Sequence, residues 1–138
     1  MREILFRGKQ TVYGTWVEGY LVKKANSLYE DMELSFILRQ ERGKFGMLDS
    51  NVTWIPVKPE TVGQYTGLKD KNGKRIFEGD IVKMSDGKIG IVVYLNVCAG
   101  YGLKGHGDGC SLCVSSDDER LVIGNIHDNP ELMEAQYD

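Results

Sequence analysis

One stretch, Tyr65 to Val82, constrains the fold more than any other, because it places turn residues between two apolar ends. Asn72-Gly73 is the strongest hairpin signal in the chain. A two-residue type I′ turn needs positive φ at both central residues, and Asn and Gly tolerate that best. Gly79-Asp80 then interrupts the run before Ile81. The stretch predicts a β-hairpin followed by another strand, and it holds no catalytic group with an evident role.

Alternation of apolar and polar residues supports a fold made of strands. Residues 15–23 alternate with a period of two, and so do residues 32–39, although the Glu, Met and Leu content of the latter leaves a helix possible. Pro56 cannot donate to a sheet ladder, which places it at an edge or a strand end. The full set of predicted strands covers residues 2–7, 15–23, 32–39, 52–57, 75–77, 81–84, 88–95, 111–114 and 121–127.

Two further segments complete the predicted architecture. Asn96 to Gly109 contains five glycines and is expected to be the longest irregular stretch. A short C-terminal helix is predicted after Asn129, because Asn can cap a helix, Pro130 suits its first position and Glu131 complements its dipole.

The second half of the chain has the spacing G-D-x-V-x4-G-x2-G-x-V, which begins at Gly79 and ends at Val92. This spacing resembles the opening of small SH3-like barrels, where glycines permit tight hairpins and sharp strand bends. The fold expected is therefore mainly β: an N-terminal β part over 1–58, a connector over 59–68, and an SH3-like barrel with the C-terminal helix over 69–138.

Length and composition narrow the class of protein. The 138 residues are 41% hydrophobic, which is enough for a core, and no apolar run approaches the roughly 20 residues of a membrane span. Residues 1–58 carry a net charge of +2 and residues 59–138 one of −5, so neither half has the basic excess of a dedicated nucleic-acid binder. Three cysteines argue against a disulfide framework. We expect a cytoplasmic protein without membrane contact.

Two blocks of sequence also resemble the YopX family, whose members are encoded by phages and prophages of Gram-positive bacteria. The first block is QYTGLKDKNGK at 64–74 with EGDIV at 78–82, and the second is IGNI at 123–126 with NPEL at 129–132. REILFR at 2–7 is a weaker match. The resemblance implies an origin and a fold, and it implies no activity, because the family has none established.

The hairpin is the first candidate for a binding site. Its turn is surrounded by Lys69, Lys71, Lys74 and Arg75, with Asp70 as the only acid, which gives a local charge of +3. Such a patch could contact phosphates or an acidic partner. The alternative is a solvated hairpin tip whose charges prevent aggregation.

A second candidate is a metal site. Cys110 and Cys113 have the Cys-x2-Cys spacing that grips one metal ion, and Cys98 with His106 would complete a tetrahedral zinc set. The competing interpretation is that these residues are unrelated, with Cys98 a small core residue. We expect no metal and no cofactor. The acidic run Asp117-Asp118-Glu119 is interpreted as a solvated turn.

The sequence thus predicts a non-enzymatic interaction or assembly module, since no nucleophile–base pair or catalytic carboxylate pair is legible. Self-association is the favoured interaction, because both faces of 15–23 and 52–57 are partly apolar and one face then needs a partner. A host or phage protein is another possible partner. The alternative function is weak nucleic-acid binding through Lys69–Arg75.

Overall fold

The computed structural model describes residues 3–25, 33–42, 48–97, 99–105 and 120–134. Within these ranges the chain forms ten strands, a single-turn 3-10 helix (Pro59–Thr61) and one short α-helix, so the mainly β class is confirmed. The elements are β1 (Phe6–Lys9), β2 (Trp16–Ala25), β3 (Glu33–Arg42), β4 (Leu48–Val57), β5 (Gly63–Lys69), β6 (Arg75–Phe77), β7 (Asp80–Lys83), β8 (Ile89–Leu95), β9 (Gly100–Lys104), β10 (Leu121–Asn125) and α1 (Glu131–Glu134).

All the strand pairs are antiparallel, and they belong to two sheets. The strand orders are β4-β3-β2-β1-β5-β6 and β10-β7-β8-β9. The chain divides into two compact units, Glu3–Gln64 and Tyr65–Asp138 together with Met1–Arg2.

The first unit is built on the predicted alternation in β2, β3 and β4. Val17, Ile37 and Val57 lie on one face and are buried, because alternate residues of a strand point to the same side. The partly buried side chains that pack against them are Phe6, Leu21, Ile55 and Val62. Gly19 lies on this face of β2 directly beneath the Leu38 carbonyl, so a side chain there would collide with backbone.

The end of β4 returns to β1, so the four strands of this unit curl back on themselves. Gln10 bridges Val57, the Lys58 N–H donates to the Lys9 carbonyl at 2.9 Å, and the Thr11 N–H donates to the Pro56 carbonyl at 3.2 Å. Pro56 therefore lies near the end of a strand, as predicted, and its carbonyl is used although it has no N–H.

The second unit has its own core. Ile76, Val82, Val92 and Leu103 are almost completely buried, and Met84, Tyr101 and Val122 join them, with Leu68 packed against the cluster. The predicted Asp86-Gly87 hairpin connects β7 to β8: the Gly87 N–H donates to the Met84 carbonyl at 3.0 Å, and Gly87 has φ of +87°. Closure of these strands into an SH3-like barrel stays a prediction.

Two strands were not anticipated. β5 occupies a stretch that the sequence suggested was connector, and β9 lies inside the stretch expected to be irregular. In β9 the apolar residues alternate, with Tyr101 and Leu103 buried between small or exposed neighbours. This period of two is hard to recognise in the sequence, because glycines stand at two of the five positions of β9. The predicted strand 111–114 lies outside the described residues.

The C-terminal helix is confirmed but spans only four residues. The predicted side-chain cap by Asn129 is not formed. The Asn129 Oδ1 instead accepts the Asn125 N–H at 3.3 Å, on the preceding turn. The helix begins with a backbone bond from the Leu132 N–H to the Asn129 carbonyl.

Candidate functional site

The hairpin between β5 and β6 has a different turn from the one predicted. Gly73 has φ of +81°, but Asn72 does not have positive φ, so the turn is not type I′. The Gly73 N–H donates to the Asp70 carbonyl at 3.0 Å, and the Asp70 N–H donates to the Lys74 carbonyl at 2.8 Å. This is a three-residue loop in which a turn is followed by a left-handed glycine, the next most common hairpin design. The hairpin itself is confirmed.

Asp70 explains why the longer loop forms. One carboxylate oxygen accepts the backbone N–H groups of Asn72 and Lys74, each at 2.9 Å. The other oxygen accepts the Val122 N–H of β10 at 3.1 Å. The buried carboxylate therefore closes the loop and also attaches it to a strand some 50 residues later, a role that we missed because an acid among lysines suggests only charge balance.

The hydrogen bonds to Asp70 also set its ionisation. Burial by itself raises the pKa of the Asp70 carboxyl, but the backbone amides of Lys74, Val122 and Asn72 outweigh it, and the Lys74 ammonium adds to their effect. The net result is a pKa below the ordinary value of 3.8. Asp70 is therefore a permanent anion at neutral pH, bound by the backbone.

The basic residues around this turn have different surroundings. Lys69 and Arg75 are directly opposite each other in the β5–β6 ladder. The Arg75 guanidinium lies 5.9 Å from the centre of the Tyr65 ring, a cation–π contact within its own unit. Lys69, Lys71 and Lys74 are exposed.

Lys71 has a distinct setting, beside a half-open hollow of about 260 Å³. Its neighbours there come from β7, from the turn after β7 and from β10, and the lining residues are Lys71, Lys83, Met84, Ser85 and Leu121. We did not single out Lys83, because its proximity to Lys71 depends on the pairing of β7 with β10. Sequence spacing carries no signal of that pairing.

Several other residues of the two sequence blocks make hydrogen bonds that connect distant segments of the backbone. The Lys71 N–H donates to the Arg120 carbonyl at 3.0 Å, and the Ile126 N–H donates to the Gly79 carbonyl at 2.9 Å. The Asp80 carboxylate, which is 1% exposed, accepts the Phe77 N–H at 2.8 Å. The two blocks are thus hydrogen-bonded to each other through the main chain.

A compact turn follows β10. The Asn125 side-chain oxygen accepts the N–H groups of His127 and Asp128 at 3.0 and 2.9 Å, and the Asn129 N–H donates to the Asn125 carbonyl at 2.8 Å. A Cβ on Gly124 would lie 2.6 Å from the Asn129 Oδ1, so glycine is required for this approach. These bonds fix the backbone of the turn.

The first unit carries a second candidate surface on its outer side. Along β2, β3 and β4, the residues that alternate with the core residues form cross-strand rows of apolar side chains. Tyr20, Leu38 and Trp54 make one row, and Val22, Phe36 and Pro56 make the next. We call the whole set the outer patch: Tyr20, Val22, Leu34, Phe36, Leu38, Val52, Trp54 and Pro56.

The outer patch is open to solvent. Tyr20 is 66% exposed and Trp54 is 51% exposed, and the Trp54 ring meets Phe36 edge-on with 5.7 Å between ring centres. Trp16 is not part of the patch, because the Arg7 guanidinium lies 4.7 Å from the centre of its ring. Large aromatic side chains exposed beside each other are typical of an interaction site.

The candidate zinc ligands Cys98, His106, Cys110 and Cys113 lie outside the described residues, as does the acidic run Asp117-Asp118-Glu119. Among the described residues, no group of three or more His, Cys, Asp and Glu side chains could hold a metal ion. None of the helical segments in the described ranges has the length and apolar character needed to cross a membrane.

Comparison with known proteins agrees with this architecture. No curated protein matches the chain. A solved structure, titled "Crystal structure of protein EF1440 from Enterococcus faecalis", is similar with a TM-score of 0.55 and 24% identity, over 96% of this chain and 99% of the other. At that identity the likeness supports the fold alone. The YopX protein family matches residues 6–134, which include both sequence blocks and all ten described strands, and the chain therefore belongs to the YopX family.

Proposed function

We propose that the protein is a non-enzymatic interaction module that associates with a second copy of itself through the outer patch. The observation that carries the proposal is the exposure of Tyr20 and Trp54 in one cross-strand row with Leu38 between them. The core of the unit occupies the opposite face of the same strands, so a partner on the outer face would bury these side chains. A phage or prophage origin is a further part of the proposal.

The charges around the outer patch favour a second copy as the partner. None of the eight patch residues is charged. On the same face of β2, Glu18 precedes Tyr20 and Lys24 follows Val22, and both are exposed. A two-fold axis perpendicular to the strands would place Glu18 of each protomer opposite Lys24 of the partner. The patch is therefore complementary to itself in both its apolar rows and its border charges.

The size of the outer patch indicates how tightly two copies should bind each other. A standard stable interface uses roughly 20–30 residues and about 800 Å² on each partner. The outer patch and its border are smaller than that, so we expect a reversible dimer with a dissociation constant on the order of micromolar, not an obligate one.

Sedimentation equilibrium over about 5–500 µM protein tests the proposal. The apparent mass should rise from the monomer value of 15.5 kDa toward twice that value. Trp54→Ala should weaken the dimer, and Tyr94→Ala is the matched control, because Tyr94 is also a half-exposed aromatic but belongs to the other unit. A concentration-independent monomer mass for the unmodified protein would refute self-association.

Weak nucleic-acid binding through Lys69–Arg75 is the alternative. It has less support, because Arg75 lies against Tyr65 and, of the three hairpin lysines, Lys71 alone lines the neighbouring hollow. Binding to single- and double-stranded DNA at two salt concentrations separates the alternatives: a phosphate-contacting protein loses affinity steeply as salt rises. We expect no measurable binding of duplex DNA.

A further inference from the structure

We propose that the hollow beside Lys71 binds the phosphate group of a small phosphomonoester that also has an apolar or ring portion. Lys71 and Lys83 are twelve residues apart in the sequence but line the same cavity of about 260 Å³. The site is separate from the outer patch and does not depend on self-association.

The backbone positions of both lysines are fixed before any ligand arrives. The Lys71 N–H donates to the Arg120 carbonyl at 3.0 Å, and Asp70, the residue before it, accepts the Val122 N–H. Lys83 pairs directly with Leu121 in the β7–β10 ladder. Two cations anchored to the same strand in this way lose little backbone freedom when a ligand binds.

The lining chemistry matches a phosphomonoester better than a carboxylate. A phosphomonoester carries about −1.5 to −2 charges at neutral pH, which two ammonium groups balance. Lysine binds phosphate as a point charge, whereas paired recognition of carboxylates is typical of arginine. None of the described residues that line the hollow carries a carboxylate. Asp70 and Asp86, which are adjacent in sequence to Lys71 and Ser85, accept backbone N–H groups.

The remaining walls accommodate the organic part of the ligand. Met84 and Leu121 supply apolar surface, and Ser85 supplies a hydroxyl. A thioether packs well against flat rings because sulfur is polarisable. The cavity is slightly smaller than the roughly 300 Å³ at which drug-sized pockets begin, so it fits a single mononucleotide-sized molecule at most.

A polynucleotide is a poorer fit. Of the basic residues that the structure describes, two line the hollow, and residues 59–138 carry a net charge of −5, which repels a long polyanion. The expected ligand is therefore a monomeric phosphomonoester of the nucleoside monophosphate type.

Calorimetric titration with adenosine 5′-monophosphate tests this inference, with adenosine and a single-stranded oligothymidylate as comparison ligands. We expect the monophosphate to bind with a dissociation constant in the submillimolar range and adenosine at least about tenfold more weakly. Lys71→Gln and Lys83→Gln should each weaken the monophosphate by about tenfold. Lys69→Gln is the matched control, because it removes the same charge from the same hairpin outside the hollow, and it should change the affinity less than about twofold.

Three results would overturn the proposal. The first is no heat of binding with millimolar monophosphate, and the second is an equal loss of affinity in Lys69→Gln. The third is an oligothymidylate affinity more than about tenfold above that of the monophosphate, which would identify a nucleic-acid surface instead. None of these results bears on the oligomeric state, so the self-association proposal is tested independently.

Discussion

The Asp70 hairpin, residues 69–75, and the outer patch differ in how their side chains are used. In the hairpin, the motif residues stabilise the fold itself: the Asp70 carboxylate accepts three backbone N–H groups, and Gly73 adopts the left-handed conformation of the turn. In the outer patch no residue belongs to a sequence motif, yet Tyr20 and Trp54 are exposed. The motif residues therefore stabilise the fold of the second unit, and the surface that we propose for self-association contains no motif residue.

Because of this difference, mutations in the two regions should affect different properties, stability in the hairpin and association in the outer patch. Changes to the hairpin residues should lower the free energy of unfolding, because they leave buried backbone groups without partners. Changes to the outer patch should alter association with little effect on folding, because exposed apolar side chains contribute little to the stability of a monomer. Each of the following predictions tests one side of this separation.

The largest effect is expected for Asp70→Ala. It removes the acceptor of the Asn72, Lys74 and Val122 N–H groups at once, so we expect a loss of about 3 kcal/mol in the free energy of unfolding, measured by urea titration. Asp86→Ala is the matched control, because that carboxylate accepts the Lys88 N–H in an exposed turn, and it should cost about 1 kcal/mol or less. Equal losses in the two variants would contradict the bridging role of Asp70.

The next effect concerns association. Trp54→Ala should weaken the dimer by about 2 kcal/mol, because exposed tryptophans at the centre of an interface are common hot spots. Its urea midpoint at low protein concentration should match that of the unmodified chain. A large loss of monomer stability in Trp54→Ala would show that the outer patch is packed within the monomer after all.

The third prediction concerns the turn glycine. Gly73 has φ of +81° and open space around its missing Cβ, so Gly73→Val should cost about 1–2 kcal/mol from left-handed strain alone. Gly73→Asn is the matched control, because asparagine tolerates this conformation, and its cost should be smaller. If valine and asparagine gave the same melting temperature, the left-handed assignment would be wrong.

The smallest effect is a dependence on pH. The folded pKa of Asp70 lies below the ordinary value of 3.8, so its carboxylate contributes stability that is fully present above that value. The contribution is lost as pH falls through the lower, folded pKa. Urea titrations of the unmodified protein and of Asp70→Asn should therefore differ most near pH 7 and converge toward pH 2–3. A difference that grows on acidification would contradict the lowered pKa.

The fold class could be predicted from the sequence because apolar–polar alternation and turn residues are local signals. Strands such as β2 and β8, the hairpins at Asn72-Gly73 and Asp86-Gly87, and the helix after Asn129 all depend on neighbours a few residues apart. β9 was missed because glycines interrupt its alternation, and the turn type was wrong because Asp70 binds amides that a two-residue loop would not offer.

The candidate sites were less predictable for the same physical reason. The partnership of Lys71 with Lys83 requires the β7–β10 ladder, and the link from Asp70 to Val122 spans about 50 residues. Contacts of this kind have no period and no fixed spacing in the sequence. The exposed rows of the outer patch were anticipated more easily, because two-sided apolar alternation in residues 15–23 and 52–57 is itself a local pattern.

The central claim is that the outer patch, and not the Asp70 hairpin, is the surface through which the protein associates. Backbone amide and tryptophan indole shifts in two-dimensional NMR, recorded while the protein is concentrated from about 20 µM to 1 mM, test it directly. We predict shift changes confined to β2, β3 and β4 and to the Trp54 indole, and none in residues 69–75. Changes that concentrate in the hairpin, or the absence of any change over this range, would contradict the account.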